Sequence, residues 1–281
     1  LYTIKNFFPN IKVITIQNGM RDENFFQELK KYRSNLKADM ILTWGDNIAE
    51  KYAKNINTKT LSIGSFKNNL INIIKSPKRK SILFISTGYE KKKKVTKFSE
   101  NNYITDEEYY KPEKYILPIL KNIANEMNYK LEIMGRCIKD SDEEKKFYFD
   151  VLGDDNFEYF ERKNYKTCYI KSDESELTFN IYSAFGLETL SRGNRCCFAN
   201  VRGLFLNEKS MSCFWPGKLP LKGSFWTDNI STKEIKRIIH YSLSANYKDW
   251  VRSINELNPS LIKFDYGNKI FSRLLNDRSY F

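Results

Sequence analysis

Short apolar runs alternate with longer amphipathic stretches along most of the chain, and this alternation constrains the fold more than any other feature. In the first part of the chain, apolar runs at 11–16, 40–43 and 59–63 are separated by helix-like stretches at about 23–36 and 47–54. Strands and helices that alternate in this way build βα units and a mainly parallel sheet. The pattern therefore predicts an α/β fold.

A second series of the same kind follows a polar, basic stretch at 66–80. Its predicted strands are short and apolar, and they lie at 81–85, 130–134, 157–160, 176–179 and 195–198. Three helices are predicted to close the chain, near 233–245, 247–255 and 266–276. We therefore predict two Rossmann-like domains, which comprise residues 1–75 and 76–281.

The first βα series is short for a domain of this kind. It supplies three predicted strands, whereas parallel sheets in such domains commonly have about five or six. The chain also begins with Leu1 rather than with an initiator methionine. We therefore expect the N-terminal domain to be truncated, with at least one further strand and helix in the full-length protein.

The chain carries a net charge of +13, which favours anionic partners such as nucleic acid, acidic lipid headgroups or phosphorylated substrates. Lysines and arginines cluster at 75–80 and at 91–94. An ordinary solvated surface is the alternative interpretation of this charge. No recognisable nucleic-acid-binding motif accompanies it, so no nucleic-acid partner is predicted.

Cysteine usage and hydropathy indicate the compartment. The five cysteines are an odd number and include no C-x-x-C pair, so neither a zinc site nor a disulfide framework is predicted. A reducing, cytoplasmic compartment fits this usage best. No apolar run approaches the roughly 20 residues that a membrane span needs.

The segment 180–193 carries the most informative motif, S-x-x-G-x-E-x-x-x-x-G. Ser183 is a suitable helix N-cap, so the helix should begin at the carboxyl end of a parallel strand, where α/β folds bind ligands. Its first N–H groups would then favour an anion. Gly186 would let a ligand approach, and Glu188 could accept hydrogen bonds from a ribose. The alternative is that Glu188 forms only a surface ion pair with Arg192, four residues on.

This motif, between two short strands of the second domain, resembles the donor-binding element of GT-B glycosyltransferases, in which two Rossmann-like domains face each other across a cleft. More narrowly, the chain resembles bacterial surface carbohydrate biosynthesis proteins, including Kdo-transferase-like enzymes, and is distantly similar to CDP-glycerol glycerophosphotransferases. The stretches that carry the resemblance follow one another along the chain, at Ile14–Gly19, Leu42–Asp46, Ser62–Ser65, Ser183–Gly193 and Phe264–Asn268.

The resemblance implies a glycosyltransferase of hexosyl or Kdo type that moves a sugar from a nucleotide-sugar donor to a lipid-linked surface glycan. It implies that Glu188 holds the ribose and that no metal is obligatory. No cofactor is expected, because the nucleotide sugar is itself the substrate. The enzyme would be cytoplasmic and peripherally attached to the anionic inner leaflet of the inner membrane. Polyol-phosphate transfer or sugar-nucleotide epimerisation is the first alternative, and a non-catalytic basic binding protein is the second.

The first loop departs from the pattern of related transferases, which often carry a catalytic histidine as Gln-His-Gly. Here Gln17, Asn18 and Gly19 form the corresponding acceptor-side loop, and the sole histidine, His240, lies in a predicted helix. Any base or nucleophile is therefore expected to be a carboxylate, a group that glycosyl transfer can use. Asp46 follows the second predicted strand and is our candidate, with an N-cap role as the alternative.

Two further strand ends supply candidates for donor binding. Ser86, Thr87 and Gly88 follow the first strand of the second domain, where small residues and backbone N–H groups can accommodate a phosphate or a donor sugar. Arg136 follows the strand at 130–134 and could reach a phosphate with its fork of donors. Ordinary strand-end turns are the alternative interpretation of both.

The sequence Asp140-Ser141-Asp142 mimics the D-x-D metal motif of another glycosyltransferase fold. Ser141 and Glu144 have the spacing of a helix capping box, which explains the local pattern without a metal. We therefore predict no metal site.

Overall fold

The computed structural model describes residues 7–21, 23–31, 38–56, 58–75, 78–89, 96–99, 102–136, 141–153, 156–207, 220–256 and 261–277. The described chain divides into two compact units. Unit 1 contains the described residues up to Asn72 and those from Ile254 onward. Unit 2 contains the described residues between Ile73 and Ser253. The lysine run at 91–94 and Asp140 lie outside the described residues.

Unit 1 is built around a parallel sheet of three strands in the order β1-β2-β3, which are Ile14–Ile16, Met40–Thr43 and Lys59–Ser62. Three helices follow these strands in turn: α1 (Glu23–Lys31), α2 (Asp46–Asn55) and α3 (Phe66–Asn69). Helices α1 and α2 alternate with the strands as the apolar pattern predicts, whereas α3 lies in the polar stretch 66–80, where no helix was predicted.

Unit 2 is built around a parallel sheet of six strands in the order β8-β7-β4-β9-β10-β11. Its strands are β4 (Arg79–Ile85), β7 (Lys130–Met134), β8 (Phe157–Phe160), β9 (Ser175–Asn180), β10 (Cys196–Ala199) and β11 (Trp226–Thr227). Numbered one to six along this unit, the strands lie in the order 3-2-1-4-5-6, which is that of the Rossmann fold. A separate antiparallel pair, β5 (Thr96–Ser99) and β6 (Asn102–Ile104), was not predicted from the sequence.

The remaining helices are α4 (Asp106–Tyr109), α5 (Lys111–Glu126), α6 (Ser141–Leu152), α7 (Thr167–Glu174), α8 (Phe185–Ser191), α9 (Arg202–Leu206), α10 (Thr232–Ser244), α11 (Tyr247–Glu256) and α12 (Lys269–Asn276). Among the described residues, no helix combines the length and the apolar character that crossing a membrane requires.

The central strand β4 shows why unit 2 adopts this sheet. Ile82, Leu83 and Phe84 have no exposed surface. A strand buried on both faces is a near-continuous apolar run, and such runs are typical of parallel sheets covered by helices. The predicted α/β architecture with two Rossmann-like βα series is confirmed.

The division of the chain differs from the predicted domains 1–75 and 76–281 at its C-terminal end. Leu274 of α12 packs with Met40, Leu42 and Ile63, and it therefore belongs to the core of unit 1. A boundary drawn from the order of patterns along the chain cannot anticipate that the last helix returns to the first sheet.

Candidate functional site

The order of strands in unit 2 locates a candidate site. Strands β7 and β8 lie on one side of β4 in the sheet, and β9, β10 and β11 lie on its other side. Such a reversal leaves a crevice at the carboxyl ends of the two central strands, where open α/β sheets bind ligands. The turn after β4 and the segment between β9 and α8 flank this crevice. Both contain residues predicted from the sequence to bind a donor.

The turn after β4 consists of Ser86, Thr87 and Gly88. The Ser86 hydroxyl is buried and donates to the carboxylate of Glu144. It also accepts hydrogen bonds from the Gly88 N–H at 2.9 Å and from the Tyr148 hydroxyl at 2.7 Å. A hydroxyl offers one donor and two acceptor positions, so that of Ser86 is saturated within the protein. The Ser86 N–H also donates within the protein, to the Met134 carbonyl at 3.1 Å.

The Thr87 side chain also turns inward. Its hydroxyl donates to Glu113 at 2.9 Å and accepts from Arg202 at 3.4 Å. Glu113 and Arg202 form an ion pair in which both side chains are fully buried. Burial alone lowers the pKa of Arg202, but the adjacent charge of Glu113 raises it above its usual value, so the guanidinium stays protonated.

Arg136 is the second residue after β7, and its side chain lies against the turn after β4. Its guanidinium donates to the Thr87 carbonyl, and its side chain lies 3.1 Å from where a Cβ on Gly88 would be. Gly88 has a φ of +89°, a conformation that favours glycine. The structure thus brings Arg136 and the turn after β4 together, with an exposed cation beside the strand end.

Glu188 lies in the first turn of α8, on the other side of the crevice. Its side chain is 8% exposed, and its carboxylate accepts a hydrogen bond from the Tyr169 hydroxyl at 3.0 Å. Tyr169 lies in the first turn of α7, so both residues belong to the carboxyl edge of the sheet. Burial, followed by the charge of Glu188, raises the pKa of Tyr169, so the phenol remains a hydrogen-bond donor. Tyr169 therefore orients Glu188.

Arg192 does not form the surface pair that was the alternative interpretation of Glu188. Its guanidinium is fully buried and pairs with Asp173, with the Arg192 Nε 2.9 Å from the Asp173 Oδ1. Asn194 donates to the same carboxylate oxygen at 2.7 Å. Arg192 is therefore part of the interior of unit 2.

The start of α8 differs from the prediction. The helix begins at Phe185, and Ala184, not Ser183, is the residue before it; the Ser183 hydroxyl accepts from the Phe185 N–H at 3.3 Å. The next N–H groups bond to the carbonyls of Ser183 and Ala184. The first turn is tight enough to satisfy its own donors, so these N–H groups are not available to an anion in this conformation.

Gly186 is required by packing and not by the approach of a ligand. A Cβ at this position would lie 2.4 Å from the Asn180 side-chain amide and 2.5 Å from the Phe198 ring. Because these residues belong to β9 and β10, the glycine lets α8 pack closely on the sheet. Its role in donor binding stays a prediction.

In unit 1, Asp46 is the first residue of α2, and Gly45 occupies the N-cap position. The carboxylate is half-exposed and lies 2.7 Å from the Lys263 ammonium. Partial burial raises the pKa of Asp46, but hydrogen bonds from Lys263 and Ser62 and the charge of Lys263 outweigh it, so the pKa lies below its usual value. Asp46 is therefore ionised near neutral pH.

The predicted acceptor-side loop contacts the turn after β2. Gln17 is buried, accepts from the Trp44 N–H at 2.9 Å and donates to the Gly19 carbonyl at 2.7 Å. Asn18 is exposed and accepts from Arg21 at 3.1 Å. Gln17 thus holds two loops together, while Asn18 is the residue of this loop that faces solvent.

The sequence interpretation did not predict that Glu113 and Glu144 are buried beside the candidate site. Glu144 accepts from Ser86, from the Arg136 N–H at 3.1 Å and from Tyr159 at 3.2 Å, while the side chain of Ser141, its predicted capping-box partner, lies outside the described residues. Glu113 lies on the apolar face of α5 with Leu117, at a spacing of four residues. A charged residue on an otherwise apolar helix face was the signal that could have revealed it.

Comparison with solved structures shows the fold. A variant of the wall teichoic acid polymerase TagF soaked with CDPG matches with a TM-score of 0.51 and 12% identity, over 95% of this chain and 67% of that chain. Another TagF variant matches with a TM-score of 0.50 and 10% identity, over 98% of this chain and 83% of that chain. These likenesses show a GT-B fold.

The Gap123 complex from Streptococcus agalactiae matches with a TM-score of 0.47 and 13% identity, over 89% of this chain. The chain spans 47% of the length of that matched chain, about half. No curated protein matches the sequence significantly.

Residues 14–279 match a protein family described as "putative O-antigen biosynthesis protein". This match covers nearly the whole chain, including both parallel sheets and every residue named above as a site candidate. The chain therefore belongs to this family of O-antigen biosynthesis proteins.

Proposed function

We propose that the protein is a glycosyltransferase that moves a sugar from a nucleotide-activated donor to a growing surface glycan. One observation carries the proposal. The turn after β4, the exposed Arg136 and the oriented Glu188 flank the point where the strand order of a Rossmann sheet reverses. Membership of an O-antigen biosynthesis family supports glycan synthesis as the setting.

The donor would bind to unit 2. Arg136 offers a guanidinium that can bind a phosphate with two parallel hydrogen bonds. Glu188, held by Tyr169, would accept hydrogen bonds from the ribose hydroxyls. Thr87 would contribute its backbone N–H to the phosphate, and Gly88 would leave room for Arg136 beside it. Ser86, Ser183 and Gly186 would shape the site through packing and internal hydrogen bonds.

Asp46 is proposed as the catalytic carboxylate of unit 1. A lowered pKa makes it a weak general base at neutral pH, since general bases work best with a pKa near the operating pH. An ionised carboxylate can instead act as a nucleophile or stabilise the positive charge that develops on the sugar. Gln17, Asn18 and Gly19 would lie on the acceptor side, with Asn18 as the exposed contact.

The acceptor is proposed to be a lipid-linked glycan. The net charge of +13 would hold a cytoplasmic enzyme near the anionic inner leaflet of the inner membrane, because each basic residue near such a surface contributes about 1 kcal/mol. Hexosyl or Kdo transfer without a metal or a cofactor is the chemistry that we propose.

The proposal is tested first by thermal unfolding with CMP, CDP and UDP. A ligand present at about 100 times its dissociation constant stabilises the folded protein by about 2.7 kcal/mol, so at least one nucleotide should raise the melting temperature. If none of the three nucleotides raises the melting temperature, a non-catalytic basic binding protein is favoured.

Product analysis then separates the remaining activities. With the matching nucleotide sugar and a lipid-linked acceptor, we expect a glycosylated acceptor and a free nucleotide, with no loss of activity in EDTA. Transfer of a polyol phosphate to the acceptor, or conversion of the sugar nucleotide without an acceptor, would contradict the proposal and support the corresponding alternative.

A further inference from the structure

The hydroxyl groups of the turn after β4 are used within the protein. That of Ser86 makes three hydrogen bonds, to Glu144, Gly88 and Tyr148. That of Thr87 contacts Glu113 and Arg202. The turn therefore cannot bind a ligand through its side chains without breaking this internal network.

A ligand at this turn would therefore have to contact its backbone. The Thr87 N–H makes no hydrogen bond with any residue that the structure describes. Gly88, with its φ of +89°, leaves the space beside it to the Arg136 side chain. Arg136 uses one nitrogen for the Thr87 carbonyl and has further N–H groups in its fork. The Thr87 N–H thus belongs to a turn against which the Arg136 guanidinium lies.

Two fully buried carboxylates form hydrogen bonds with the turn after β4 and with Arg136. Glu113 comes from α5 and Glu144 from α6, and neither has exposed surface. Glu144 binds the Ser86 hydroxyl and accepts the Arg136 N–H with both oxygens at 3.1 Å, so it ties the end of β4 to the end of β7. Burying a carboxylate is unfavourable unless it is fully hydrogen-bonded, so two of them beneath one turn need a reason.

We propose that Glu113 and Glu144 are positioning residues that preorganise the turn after β4 so that the Thr87 N–H and the Arg136 guanidinium bind one diphosphate group. Arg202 supplies the counter-charge to the buried Glu113 carboxylate. The identity of the diphosphate, as part of a nucleotide-sugar donor, rests on the function proposed above. The geometry of the turn does not depend on it.

The test uses Glu144→Gln, which keeps the size of the side chain and removes its charge and one acceptor. We expect faster hydrogen exchange at the Gly88 and Arg136 amides, with exchange in α10 unchanged. We also expect at least tenfold weaker binding of inorganic pyrophosphate and of CDP, measured by calorimetry. Glu161→Gln, the same change at an exposed glutamate of unit 2, should alter neither readout.

Thr87→Val provides a second variant in case Glu144→Gln does not fold. It removes the hydroxyl that binds Glu113 but leaves the buried ion pair with Arg202 intact. It should also speed exchange at Gly88 and weaken pyrophosphate binding. Wild-type exchange rates, or wild-type pyrophosphate affinity, in the folded variants would overturn the inference. If the wild-type protein binds pyrophosphate but no nucleotide, the proposed function fails and the positioning role stands; if it binds neither, both fail.

Discussion

Two turns at the carboxyl ends of parallel strands differ in how they are held. In unit 1, the turn after β2 is bonded by neutral groups, chiefly Gln17 to Trp44, and its charged member Asp46 pairs with a half-exposed Lys263. In unit 2, the turn after β4 rests on two buried glutamates. Both turns follow a strand of a βα unit. The turn of unit 1 carries an ion pair that is partly exposed to solvent, whereas the turn of unit 2 is held by carboxylates that are buried away from solvent.

The difference determines how each turn can respond to a ligand. An exposed ion pair contributes little to stability, so a substrate can compete for either partner at low cost. A buried pair cannot be opened without leaving a charge unpaired in the interior. The turn of unit 1 is therefore suited to chemistry in which a carboxylate changes partners, and that of unit 2 to holding fixed donors.

The largest expected effect is a loss of stability that differs between the buried ion pair of unit 2 and the exposed ion pair of unit 1. Arg202→Met leaves Glu113 buried and unpaired, and we expect it to lower the free energy of unfolding by about 3–5 kcal/mol. Lys263→Met, at the exposed pair with Asp46, should cost less than about 1 kcal/mol. Urea unfolding followed by fluorescence would measure both, and similar losses in the two variants would contradict the comparison.

A smaller effect is expected for ligand binding at Glu188. Glu188→Gln keeps the hydrogen bond from Tyr169 but removes the charge, and we expect nucleotide affinity to fall by tenfold or more, about 1.4 kcal/mol. Calorimetry would measure it, with Glu161→Gln as the control of equal charge change. Arg192 is unsuitable as a control because its buried pair with Asp173 makes substitution destabilising. Unchanged affinity in Glu188→Gln would remove Glu188 from the site.

The next effect concerns pH and Asp228, which follows β11. Burial raises the pKa of Asp228 to about 6, although a hydrogen bond from Asn200 opposes this. Because the pKa is raised in the folded state, the contribution of Asp228 to stability is greatest below about pH 4 and is lost as the pH rises through 6. Asp228→Asn should therefore stabilise unit 2 by about 1–2 kcal/mol at pH 7.5, after allowance for solvent screening, and have little effect at pH 4. Equal effects at both pH values would be inconsistent with a raised pKa.

The smallest effect has the opposite sign and belongs to unit 1. The pKa of Asp46 is lowered, so its contribution is present above about pH 4 and is lost as the pH falls further. Asp46→Asn should cost less than about 1 kcal/mol at pH 7 and less still at pH 3. It should nevertheless reduce kcat strongly if Asp46 is the catalytic carboxylate. Full activity in Asp46→Asn would assign the chemistry to another group.

Several strand positions could be predicted from the sequence because strands of a helix-covered parallel sheet are short, mainly apolar runs. The predicted strands at 40–43, 130–134 and 157–160 have the bounds observed for β2, β7 and β8. The antiparallel pair β5 and β6 was missed because neither Thr96–Ser99 nor Asn102–Ile104 is a continuous apolar run in the sequence. Apolar periodicity reports burial, and it does not report strands that form outside the main sheet.

The partners of charged residues could not be predicted. A spacing of four residues suggested Glu188 as an alternative partner for Arg192, whereas the buried partner Asp173 lies 19 residues away. Arg202 and Glu113 are 89 residues apart. Local spacing predicts surface pairs along one helix, but a buried ion pair depends on which elements meet in the fold.

We propose that the carboxyl edge of the sheet in unit 2 binds a nucleotide-activated donor. Hydrogen-exchange mass spectrometry of the wild-type protein, with and without saturating CDP, CMP or UDP, tests it most directly. We predict that at least one nucleotide slows exchange in the segments that contain Thr87, Arg136 and Glu188, with the sheet's opposite edge unchanged. Protection confined to other segments, or no protection with any of the three nucleotides, would contradict the account.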